Sequence, residues 1–314
     1  MNTRLVRADG SAGGGAMDTK VIHEDGSADV AASPTGTDAR VTCTLCPHAC
    51  HLRMGETGFC RARRNESGTI RAINYGRLTA LALDPIEKKP LYHFYPSTYI
   101  LSVGSFGCNL ACPFCQNAGI AMADARTETE YVAPARLAAL AEELSYAPRG
   151  NIGVAFTYNE PLVGYEYIMD SAPLLHAAGL KVVLVTNGTI SAEPLERLLP
   201  HVDAMNIDLK SWQEDTYRRL GGDLGTVKST IARAVHAGVH VEVTSLIVPG
   251  ISDSAADMKE EARWLAALSP EIPLHISRYF PRHRMTTPPT PIATIDHLTE
   301  IARRHLRYVH RGNC

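Results

Sequence analysis

The chain has 314 residues, of which 45% are hydrophobic and 20% charged. That length and balance suit one large α/β domain with a smaller appendage and exclude a largely disordered or fibrous protein. With 31 Lys and Arg against 33 Asp and Glu, no overall field draws the chain to nucleic acid or anionic lipid, so its partners must be read from sites.

Residues 1–40 are rich in Gly, Ala, Ser, Asp and Thr without apolar periodicity, the composition of a flexible tail. No stretch has the 18 or so uninterrupted apolar residues of a membrane span, and the N-terminus lacks the apolar core of a secretory signal; a cytoplasmic location is expected, with no membrane partner. Seven of the eight cysteines fall in two tight groups, with Cys314 alone at the end. In a reducing compartment such groups bind metal rather than form disulfides.

The first group, Cys43, Cys46, Cys50 and Cys60, lies in a region expected to form a cysteine-rich module and connector over residues 41–98. Its C-x2-C-x3-C-x9-C spacing can close a tetrahedral zinc site or hold an auxiliary iron–sulfur cluster. His48 and His51 are substitute ligands, and Gly55 and Gly58 let the chain turn back to deliver Cys60. A module too small for its own core gains stability from such a metal. The connector runs through Asp84-Pro85-Ile86-Glu87-Lys88-Lys89-Pro90. It can shape an opening or dock a partner, or be a packed connector with a solvated Lys pair.

From residue 99 onward, short apolar runs alternate with amphipathic stretches. Strands are predicted over 99–104, 152–156, 181–186, 203–209, 240–248 and 274–277, and helices over 134–146, 162–178 and 255–268. Gly179 and Gly238 follow helical stretches where a C-terminal cap belongs. About six β/α units over residues 99–314 predict a partial (β/α)6-type barrel preceded by the cysteine module, without a dinucleotide or phosphate-loop fingerprint.

Just after the first of these strands comes Gly107-Cys108-Asn109-Leu110-Ala111-Cys112-Pro113-Phe114-Cys115-Gln116-Asn117, a C-x3-C-x2-C loop. Three thiolates can hold three irons of a [4Fe–4S] cluster and leave the fourth open to a substrate. Spacing alone also admits a structural zinc site. The motif, with its aromatic residue before the last cysteine, resembles the radical S-adenosylmethionine (radical SAM) superfamily. Ser105-Phe106-Gly107-Cys108-Asn109 with Phe114-Cys115-Gln116-Asn117 resembles the branch of the pyruvate formate-lyase activating enzymes. The string from Asp84 through Pro96 and the Cys-Pro-His module are similar to the AmmeMemoRadiSam-system enzymes.

The resemblance implies a radical SAM barrel whose [4Fe–4S] cluster cleaves S-adenosylmethionine reductively to a 5′-deoxyadenosyl radical, which abstracts hydrogen from a substrate, a partner protein among the candidates. It implies cluster ligands Cys108, Cys112 and Cys115, and Phe114 within the motif. Thr157-Tyr158-Asn159-Glu160-Pro161 resembles in position the superfamily's Gly-Gly-Glu motif, so Asn159 and Glu160 are candidates for the methionyl ammonium. Asn187 follows the third strand. Asp208 and Lys210 match the segment near the cofactor's ribose and carboxylate, residues 244–253 resemble the adenine support, and His275 closes the pocket. Low-potential donors such as flavodoxin or ferredoxin and Memo- or AMMECR-type companions are implied partners. The competing reading is a non-catalytic zinc or iron–sulfur metalloprotein, in which Glu160 is a helix-start acid and Asp208 and Lys210 an ordinary ion pair.

Overall fold

The structure, a computed structural model, describes residues 40–314, so the flexible-tail expectation falls almost wholly outside the described residues. The main sheet contains β1 (Ala80–Pro85), β2 (Tyr99–Gly104), β3 (Gly153–Phe156), β4 (Lys181–Thr186), β5 (Ala204–Asp208), β6 (His240–Ile247), β7 (Leu274–Arg278) and β8 (Val309–Gly312), neighbours in that order. Strands β2 to β8 are parallel and β1 runs antiparallel to β2. Strands β2 to β7 are largely buried on both faces. In β4, Val182 and Leu184 join the main apolar core while Val183 belongs to a second one with Ala155 and Ala204. Two buried faces explain why these strands read as continuous apolar runs rather than alternating ones.

Helices α1 (Pro134–Ser145), α2 (Tyr165–Ala177), α3 (Ala192–Leu198), α4 (Glu214–Leu220), α5 (Leu224–His236), α6 (Ala255–Leu268) and α7 (Ile292–Arg303) fill the connections. Pro134 occupies the first turn of α1, where its missing N–H costs nothing. The Asp223 side chain caps α5 by accepting from Thr226 N at 2.6 Å. Gly179 and Gly238 take φ of 72° and 78° just past α2 and α5, the left-handed stop expected of them. Within the stretch expected as one helix over 162–178, a 3₁₀ turn (Pro161–Gly164) precedes α2.

Two strands enlarge the expected six. β1 lies in the predicted connector and β8 in the last four residues before Asn313. Both are edges, and the four-residue β8, Val309-His310-Arg311-Gly312, is polar enough to pass for a tail. The edges do not pair with each other, and one cavity is lined by residues of both flanks, Tyr158 on one side and Ser277 and Gly312 on the other. The sheet therefore wraps around a centre without closing.

The 84–96 segment fills part of that gap. Ile86, Leu91 and Phe94 are buried with Ile100, Ala155, Val183 and Ala204, plugging the barrel near the starts of its strands. Backbone N–H groups of Tyr92 and His93 donate to the Glu242 carboxylate at 3.0 and 2.7 Å, and His93 meets His310 of β8 at 2.8 Å. The gap between the edge strands is thus partly occupied by the chain's own connector. The two lysines part ways: Lys88 is exposed and Lys89 is buried against Asp84 at 2.9 Å.

Candidate active site

At the C-terminal ends of the strands the chain surrounds a cavity of about 520 Å³. Cys108, Cys112 and Cys115 line it, and so do Phe114, Glu160, Asn187, Asp208, Lys210 and His275. These residues come from five separate strands and the loops that follow them, so only the sheet brings them together. Burial pushes the Cys112 thiol up to about 11 and raises those of Cys108 and Cys115 as well. Buried thiols need positive charge close by to persist as thiolates, and a metal cluster supplies it.

The cysteine loop is held by its backbone. Cys108 N donates to Cys60 O at 3.1 Å, Ala111 N to Leu220 O and Arg284 N to Pro113 O. At Gly107, φ is 92°, and an added Cβ would lie 2.6 Å from Cys60 O, so only glycine fits there. Asn109 is buried, donating to Thr189 O at 2.7 Å and accepting from Asn187 Nδ2 at 2.9 Å. Asn187 Nδ2 also reaches Cys108 Sγ at 3.7 Å.

Glu160 is 3% exposed. Its carboxylate accepts from Thr186 Oγ1 at 2.6 Å, Asn187 N at 2.7 Å and Leu162 N at 3.0 Å. All three donors are neutral. Burial outweighs them and pushes its pKa up to about 7. A buried acid on a cavity wall, supplied with dipoles but no cation, suits a positively charged ligand group such as an ammonium. Lys210 and Asp208 pair at 2.7 Å; burial works against the Lys210 charge, and Asp208 raises its pKa nonetheless. The pair gives the opposite wall a donor and an acceptor together. His275 Nε2 lies 2.6 Å from the Glu242 carboxylate, which fixes the ring at the cavity edge.

Asn159 is the one candidate that does not face this cavity. Its Oδ1 accepts from Ser105 N at 2.9 Å and its Nδ2 donates to Gly107 O at 3.0 Å. It is a brace for the cysteine loop, one residue past Tyr158, whose φ is 71°. Sequence reading missed Lys89, Tyr92 and Tyr158, which line the same cavity. Tyr158 donates to Asp84 at 2.7 Å, and Lys89 Nζ sits 4.6 Å from its ring centre. A lysine between prolines in an apolar connector was the available signal.

The four upstream thiols, Cys43, Cys46, Cys50 and Cys60, line one small cavity with His48 and Arg63. Among the described residues, no three Cys, His, Asp or Glu side chains converge in single-ion geometry, in this group or in the Cys108 loop.

The radical SAM superfamily model matches residues 102–265, more than half of the chain. The chain belongs to the radical SAM superfamily. A radical SAM enzyme uses a [4Fe–4S] cluster and S-adenosylmethionine, and this one cleaves S-adenosylmethionine by a radical mechanism; the non-catalytic alternative falls away. An uncharacterized protein of Methanocaldococcus jannaschii is 40% identical over 281 residues, covering 88% of this chain and 82% of that protein. The pyruvate formate-lyase-activating enzyme of Clostridium pasteurianum is 30% identical over 162 residues, 51% of this chain and 65% of that enzyme. This radical SAM chain thus spans just under two thirds of that relative. In fold it is similar to a radical SAM methyltransferase from Sphaerobacter thermophilus, at 20% identity and a TM-score of 0.55 over 69% of this chain and 67% of that one.

Proposed function

We propose that Cys108, Cys112 and Cys115 hold the catalytic cluster, and that S-adenosylmethionine lies across the cavity between Glu160 and the Asp208–Lys210 pair. The observation that carries this is the convergence of three thiols, a cation-free buried carboxylate and an ion pair on one cavity. When bound, the cluster and its cosubstrate supply a one-electron cleavage that yields a hydrogen-abstracting radical. Glu160 would take the methionyl ammonium in a charge-assisted contact. Lys210 would donate to the carboxylate or ribose while Asp208 accepts from the same region. Phe114, 2% exposed, keeps water from the thiols, and the ring of His275 closes the far edge.

We further infer a protein segment as the substrate, a low-potential flavodoxin or ferredoxin as electron source and a cytoplasmic setting, consistent with eight free cysteines. The similarity to an activating enzyme supports the first of these. Because the connector plugs one end of the barrel, a segment would enter over the loops that follow the strands. The Asp84–Pro96 string supports membership of the AmmeMemoRadiSam group, with Memo- and AMMECR-type companions.

The deciding experiment is anaerobic turnover of S-adenosylmethionine by the reconstituted, reduced protein, following 5′-deoxyadenosine. Alanine at Cys108, Cys112 or Cys115 is expected to abolish its formation. Undiminished cleavage by a folded triple variant would overturn the ligand assignment.

A further inference from the structure

Glu242, the third residue of β6, is a fully buried acid to which the proposed function gives no part. Its carboxylate accepts four hydrogen bonds. Oε2 takes Tyr92 N–H at 3.0 Å and His275 Nε2 at 2.6 Å, and Oε1 takes His93 N–H at 2.7 Å and His240 Nε2 at 3.0 Å. Each oxygen thus serves one backbone group of the connector and one imidazole. Burial works against the charge, yet these donors hold the carboxyl down to about 2. An ionised carboxylate only accepts, so both Nε2 atoms must carry a proton. A neutral His275 therefore keeps Nδ1 as its acceptor.

The connector also packs on the same two rings. Tyr92 meets the His275 ring edge-on at 4.7 Å, and the Phe94 ring lies 5.3 Å from that of His240. His275 further stacks on His310 at 5.3 Å, and His310 Nε2 is 2.8 Å from His93 Nε2. Tyr92 and His275 both line the cavity of the catalytic cysteines. Connector and cavity wall therefore share one anchor. Withdrawing residues 92–94 would strip Glu242 of two of its four donors and take the Tyr92 buttress from the His275 ring. A buried carboxylate left short of donors is costly, so the seated connector and the fixed ring stabilise each other.

We propose that Glu242 is a positioning residue for the cofactor: it makes the placement of His275 against S-adenosylmethionine depend on the seated connector, so that cofactor binding and closure of the barrel gap by residues 92–94 favour each other. This rests on the reading of the cavity as the cofactor site given above. The amino and hydroxyl groups of the cofactor are donors that Nδ1 of a neutral His275 can accept. Such coupling is reciprocal: a ligand that needs the ring in place also holds the connector in place.

The test uses the full chain, reconstituted without oxygen with iron and sulfide. In the wild type, S-adenosylmethionine should slow amide hydrogen exchange in peptides containing Tyr92 and His93 by at least about fivefold. Unchanged exchange with the ligand bound overturns the coupling, and this arm needs no variant to fold. His275→Ala should weaken S-adenosylmethionine binding about tenfold in equilibrium dialysis and abolish the ligand's effect on those peptides. Glu242→Ala should weaken binding to the same degree with iron content unchanged, and the double variant should bind within about twofold of His275→Ala alone. Losses that add in the double variant, or normal binding by Glu242→Ala, overturn the positioning role, because a merely structural acid acts independently of the ring. Failure of the cofactor reading appears separately, as a wild type without saturable binding or a His275→Ala variant that binds as the wild type does, and the proposal falls with it.

Discussion

Glu160 carries the sharpest chemistry at the scale of single residues. Its carboxyl is held near 7 by burial among neutral donors, so it is partly protonated at neutral pH, and an adjacent cation would favour the charged form. Affinity for S-adenosylmethionine is therefore expected to rise between about pH 6 and 8 and then level off, as the carboxylate becomes fully ionised. Glu160→Gln should abolish that rise and weaken binding by about tenfold, roughly 1.4 kcal/mol, with iron content unchanged. Asp208→Asn should weaken binding similarly by leaving Lys210 with a neutral partner. Equilibrium dialysis of the cofactor checks both, and unchanged affinity in the two variants would return these residues to purely structural roles.

Among the elements, α6 is tied to β6 by a buried acid. Glu261 is 4% exposed and accepts from Ser245 Oγ, and burial pushes its carboxyl up to about 7. A folded-state pKa raised above the ordinary 4.5 makes its contribution to stability full below about pH 4.5 and lost as pH rises through 7. The loss is about 3 kcal/mol at most, from the size of the shift. Glu261→Gln should remove this dependence, so that the variant gains on the wild type as the pH of a denaturant titration is raised from 5 to 8. Parallel curves for the two proteins would contradict it. The connector gives a second case: Leu91 is fully buried in the plug whereas Lys88 is exposed. Leu91→Ala is expected to cost about 3 kcal/mol by leaving a cavity and Lys88→Ala next to nothing. A loss below about 1 kcal/mol at Leu91 would mean that the plug does not support the barrel.

At the scale of the whole molecule, the open sheet and its internal plug decide how a substrate reaches the cavity. Strands β1 and β8 leave the barrel unclosed, and Tyr92 and His93 occupy part of the gap against His310. Access remains over the strand ends, where Gln116, Asn117 and Asn313 line the rim. If the substrate is a protein segment, cell proteins above a size cutoff should stimulate 5′-deoxyadenosine formation and the small-molecule fraction should not. Stimulation confined to the small fraction, with label passing from a metabolite into 5′-deoxyadenosine, would rule a protein substrate out.

Much of this architecture was legible locally. Two-sided burial writes parallel strands as apolar runs, so β2 through β7 stand out within a residue or two, and the glycines that end α2 and α5 are required by a left-handed backbone. The thiol spacing of the Cys108 loop likewise marks it as a metal or cluster loop, because ligands on one short loop need no fold to bring them together. What lay beyond local reading depends on contacts distant in sequence. The edge strands β1 and β8 have mixed polarity and become strands only by pairing with β2 and β7. Asn159 and Glu160 are neighbours, yet one braces a loop and the other faces the cavity, a difference visible only in the contacts each makes with residues distant in sequence. Lys89 reads as a solvated lysine until Asp84 and Tyr158 enclose it. Which chemical groups the protein carries, and six of its eight main-sheet strands, are written along the chain. Which of those groups share one cavity is settled by the fold, because a parallel sheet gathers strand ends separated by dozens of residues.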